Sequence, residues 1–66
     1  MEGKEIQVAG GYVEITFTLS RLQAREVARR YLDRYPKQGY DTHVSSWYET
    51  TNGEINFTMR RLPNCD

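Results

Sequence analysis

The 66-residue chain is short of most residue types that carry chemistry: one cysteine, one histidine, two prolines and one tryptophan. A single thiol, Cys65, excludes an internal disulfide and most thiolate metal sites, and a disulfide-free small domain fits a reducing compartment. No excess of charge exists either, because nine basic residues offset nine acidic ones. Net charge therefore gives no pull toward nucleic acid, a membrane surface or an acidic substrate. Long apolar runs are missing, and "MEGKEIQVAGG" reads as no secretion signal. The expectation is a cytoplasmic, non-enzymatic single domain spanning residues 1–66, with no cofactor, no metal and no membrane contact.

What is present is a pattern of hairpin, helix, hairpin. In "KEIQVAGGYVEITFTL", Gly10-Gly11 suits a two-residue primed turn. Counting outward pairs Ala9 with Tyr12, Val8 with Val13 and Ile6 with Ile15, and opposed residues share a face. Ile6, Val8, Val13, Ile15, Phe17 and Leu19 then form an apolar face, with Glu5, Gln7, Glu14, Thr16, Thr18 and Tyr12 opposite.

"SRLQAREVARRYLDRYP" reads as a helix. Ser20 caps it with Gln23 three residues on. Ala24, Val27, Ala28, Tyr31 and Tyr35 share a stripe flanked by Leu32, and Pro36 ends it near Arg34.

"SSWYETTNGEINFTMRR" supplies the second hairpin. Asn52-Gly53 as a two-residue turn pairs Tyr48 with Phe57 and Trp47 with Thr58. Tyr48 and Val44 then join Ile55, Phe57 and Met59 inside. Trp47 falls on the outer face with His43, Ser45, Glu49, Thr58 and Arg60. A β-bulge at Ser45-Ser46 is the alternative, placing Val44 and Trp47 on one side.

These units predict a two-layer ββαββ fold of the α+β class, a four-stranded sheet with one helix packed on one face. The order of units resembles the immunoglobulin-binding domains of streptococcal protein G, which implies a parallel central pair. An all-antiparallel order with "YVEITFTL" beside "EINFTM" is the rival.

The contact surface expected is the helix-free sheet face around Tyr12, Trp47, Thr58 and Arg60, since Trp, Tyr and Arg dominate interface hot spots. It would dock a protein partner or a second copy, because so short a chain gains from self-association. The alternative is a nucleic-acid module using Arg21, Arg25 and Arg29, spaced four apart on a helix of net charge +3. A thiol site from His43 and Cys65 lacks any oxyanion or substrate pocket signal.

Tyr35, Pro36, Gly39, Tyr40 and Thr42 in "RYPKQGYDTHV", with Cys65 and Asp66 in "RRLPNCD", resemble a group of small proteins of bacteria and their phages. The likeness covers the C-terminal half and carries no activity. It implies a phage or prophage origin, and chains of that kind often act by binding a host protein.

Overall fold

The structure, a computed structural model, describes residues 5–8 and 10–64. Among these residues four strands and one helix longer than a single turn follow in chain order: β1 (Ile6–Gln7), β2 (Val13–Ser20), α1 (Arg21–Arg34), β3 (His43–Glu49) and β4 (Glu54–Arg61). The strands make a single sheet in the order β1-β2-β4-β3, with every pairing antiparallel. The two most apolar strands thus lie side by side at the centre, and the protein G order with its parallel pair is not adopted.

Helix α1 forms for the reasons its sequence suggests. The Ser20 hydroxyl accepts from the Gln23 amide at 3.2 Å and meets the Gln23 side chain at 3.3 Å. That satisfies one of the amides a helix leaves bare at its start. At the other end, the Tyr35 amide still donates to the Tyr31 carbonyl at 2.8 Å, and Pro36 is extended. A one-turn segment, Lys37–Tyr40, leads into Asp41, which takes a left-handed conformation (φ 54°). Thr42 beyond it is buried, and among the described residues its hydroxyl has no hydrogen-bond partner.

Alternation in β2 and β4 builds the core. Ile15, Phe17, Ile55, Phe57 and Met59 are buried beneath Ala24, with Leu19, Val27, Ala28 and Tyr31 packed against them. Phe17 and Phe57 face each other across the strands, stacked at 5.3 Å. Burying side chains of this size contributes roughly 1.5–3 kcal/mol each.

Both hairpins depart from the two-residue turns expected. The Thr50 amide donates to the Glu54 carbonyl at 2.8 Å, and the Gly53 amide to the Thr50 carbonyl at 3.0 Å. Residues 51–53 therefore span the turn, one more than the Asn-Gly pair alone, with Gly53 at φ 84° closing it. A three-residue loop needs such a left-handed residue at its last position, and glycine adopts it without strain. In the first hairpin the Val8 amide donates to the Tyr12 carbonyl at 2.9 Å, so Val8 pairs with Tyr12 rather than with Val13. The expected partner of Tyr12, Ala9, lies outside the described residues.

One residue of slip moves every side chain of a strand to the other face. Ile6 is accordingly opposite Glu14 rather than Ile15, and is exposed. In β3, Trp47 is opposite Phe57 and Tyr48 opposite Asn56. Trp47 is therefore on the helix side, and Tyr48 is on the helix-free side with 59% of its surface exposed. The register slips again between Val44 and Ser46, the bulge named as the alternative, and this returns Val44 to the helix side opposite Met59.

A buried arginine closes the far end of the core. Arg61, opposite Val13, is only 6% exposed. Its Nη2 donates to both Glu5 carboxylate oxygens at 3.1 and 3.2 Å, and its Nε donates to the Tyr31 hydroxyl at 3.0 Å. The guanidinium also lies 3.9 Å from the Tyr35 ring centroid. Tyr31 in turn donates to Glu5 at 2.9 Å. Burial, reinforced by that hydrogen bond, pushes the Tyr31 phenol up to about 12 from its ordinary 10.0. The fold thus favours neutral Tyr31, so this stability is complete below pH 10 and is lost as pH rises toward about 12. Alkaline titration followed by phenolate absorbance and circular dichroism should show unfolding in that window. A Tyr31→Phe variant should lack the portion of the slope due to this phenol.

Candidate functional site: a groove between the helix and the edge strand

Helix α1 packs over β2 and β4. It leaves the helix side of the edge strand β3 uncovered. Trp47 and Val44 stand there with 63% and 43% of their surfaces exposed, although each is opposite a buried residue of β4. Beside them runs a groove of about 370 Å³, floored by Val44, Trp47, Ile55 and Phe57. Ala24 and Ala28 of α1 form its wall, and Arg21 and Arg25 its rim. Small residues at the wall are what keep the groove open. Arg21 leans across the groove's end to Glu49, 3.5 Å away, the last residue of β3. Both side chains are more than half exposed, so the pair contributes little to stability and its arginine remains accessible.

The proposed quartet is thereby split. Tyr12, Thr58 and Arg60 share the helix-free face, whereas Trp47 does not; the loop length, not the tryptophan, decided this. On that face the polar groups satisfy one another. Arg60 pairs with Glu14 through Nη2 at 2.6 Å and Nε at 2.9 Å, and lies 5.3 Å from the Tyr12 ring centroid. Tyr12 donates to Asp41 at 2.8 Å, which raises its phenol above the ordinary value. Thr58 and Thr16 share a hydrogen bond at 2.8 Å, and Asn56 donates to Thr18 at 2.8 Å. That face therefore offers mostly paired polar groups, with Tyr48 and Ile6 as its exposed large apolar side chains.

No family model, curated protein or solved structure matches this chain.

Arg21, Arg25 and Arg29 are all exposed on α1, as the four-residue spacing requires. Arg21 and Arg25 face the groove, while Arg29 sits with Glu26, Arg30 and Asp33 on the solvent side. The stripe is thus divided between a groove rim and a mixed-charge patch. His43 is opposite Arg60, and its Nδ1 donates to the Asp41 carbonyl at 2.7 Å. Cys65 and Asp66 lie outside the described residues, so the suggested His43–Cys65 pair does too. Among the described residues no helix is long and apolar enough to cross a membrane, and no three of the His, Cys, Asp and Glu side chains cluster as a metal would need.

Sequence reading missed the groove because it counted Trp47 away from the helix. It also passed over Arg61, whose partner Glu5 lies 56 residues distant.

Proposed function

We propose that the chain is a cytoplasmic protein-binding module that works by docking, with Trp47 as its anchor. One observation carries this reading: an indole on the core side of the sheet, flanked by exposed Val44, is left mostly bare by α1. A large rigid aromatic in a recess gives up little rotamer freedom on binding and buries much area. The partner is another protein or a second copy, and the groove supports this better than the helix-free face does.

The test pans a random peptide display library on the wild-type chain and on Trp47→Ala. The wild type is expected to enrich a shared motif that the variant does not. An exposed side chain contributes little to folding, so Trp47→Ala should change stability by less than about 1 kcal/mol. Its circular dichroism and melting cooperativity should be preserved. Enrichment that ignores the substitution, or unfolding of the variant, would remove Trp47 as the anchor.

The arginines of α1 support a second reading, nucleic-acid binding, since all three are exposed. Phosphate contacts are strongest at low salt. A mobility shift with mixed single- and double-stranded nucleic acid at low ionic strength, lost on Arg21→Ala with Arg25→Ala, is what that reading requires.

A further inference from the structure

The groove's dimensions and charge specify its occupant more narrowly, given the docking reading above. Neighbouring strands lie about 4.8 Å apart, so β3 runs roughly 7 Å to the side of the line between β2 and β4. Helices pack side by side at about 8–10 Å. A second helix laid against α1 would therefore come down over β3, on Val44 and Trp47. Ala24 and Ala28, one turn apart on the wall, let it approach closely. The berth runs the length of β3 from Val44 to Glu49, roughly 16 Å at the rise of a strand, which a helix spans in about 11 residues.

The charge of that helix is also set. Arg21 and Arg25 rim the groove on the α1 side, and the carboxylate at its end, Glu49, is already within 3.5 Å of Arg21. An incoming helix with Asp or Glu along the flank facing α1 meets two guanidiniums, and one with Lys or Arg is repelled. That condition excludes a second copy. Among the described residues the chain has one helix of this length, its apolar stripe is packed in its own core, and its exposed side is arginine-rich. An added strand is disfavoured on different grounds. It would extend the sheet outward from β3 and leave the floor over Val44 and Trp47 only partly filled.

We infer that the groove between α1 and β3 takes an acidic amphipathic helix of a different protein. That helix completes the layer α1 begins, with its apolar stripe on Trp47 and Val44 and its carboxylates on Arg21 and Arg25.

Trp47 is the sole tryptophan, so its emission reports occupancy directly. The probes are three tryptophan-free synthetic peptides of about 15 residues, long enough for helical bias. One carries a leucine stripe with a glutamate flank, the second has lysine in place of glutamate, and the third is the acidic peptide with a central proline. The acidic helical peptide should shift the emission to shorter wavelength saturably. The lysine and proline peptides should bind at least about 10-fold more weakly. In Arg21→Glu with Arg25→Glu the charge preference should invert; in Arg25→Glu alone it should shrink. Equal binding of the proline peptide, or a charge preference unchanged in both variants, would overturn the helix. So would light scattering showing a dimer that dissociates on Trp47→Ala. If no peptide shifts the emission while library selection still yields Trp47-dependent binders, the acidic helix falls and docking stands. If both fail, both fall.

Discussion

Phe57→Ala is expected to remove most of the stability of the fold, a loss of about 4 kcal/mol. Phe57 is 4% exposed and occupies the middle of the central strand β4. It is opposite Phe17 on one side and Trp47 on the other, so one ring supports both neighbouring strands. The cavity left by its removal cannot be filled by rotamer changes, because the neighbours are a second phenylalanine at 5.3 Å and strand-locked aliphatics. Domains of this size are stable by on the order of 5 kcal/mol, so little would remain. Urea denaturation should show the transition moved to very low denaturant or lost. A decrease under about 1.5 kcal/mol would mean that the two central strands are not packed as described. The contrast with Trp47→Ala is informative: two aromatics opposite each other on one face, one structural and one not.

Arg61→Ala should be the next most damaging change, by about 3 kcal/mol. The guanidinium ties β4 to Glu5 ahead of β1, to the Tyr31 hydroxyl on α1 and, through Nη1, to the Leu62 carbonyl at 3.0 Å. Alanine would leave Glu5 and Tyr31 facing each other with their common donor gone, and would uncover the face of Tyr35. Lysine cannot reproduce a planar fork that reaches a carboxylate and a phenol together while lying on a ring. Arg61→Lys should accordingly recover less than half of the loss. If lysine restores full stability in thermal melts, the cluster acts only as a point charge and the geometric account fails.

How much of this was legible in the sequence differs from element to element. Helix α1 was legible throughout, because Ser20, Gln23 and Pro36 are local signals acting within a turn of where they stand. Strands β2 and β4 were legible because each alternates between large apolar and polar residues, which holds their faces whatever the loops do. The edge strands have no such pattern. In "HVSSWYE" an apolar residue sits beside two serines and an aromatic pair, so its faces depend on a count from the turn. That count failed by one residue, since glycine serves equally in a two-residue turn and at the end of a three-residue loop. Thr50 helps select the longer loop, its hydroxyl accepting from the Glu54 amide at 3.1 Å. The same ambiguity at Gly10-Gly11 turned Ile6 outward. The bulge at Ser45 then reversed the parity a second time, which is why Val44 was placed on the correct side while Trp47 and Tyr48 were exchanged.

Proton–proton Overhauser contacts from the Trp47 indole provide the most direct measurement. Cross-peaks to the Phe57 ring and to the methyl groups of Val44 and Ala28 are expected, together with an indole that remains accessible to a soluble paramagnetic agent. Cross-peaks to Thr58 or Thr16 in their place would set the indole on the opposite side of the sheet, and the groove would lose its floor.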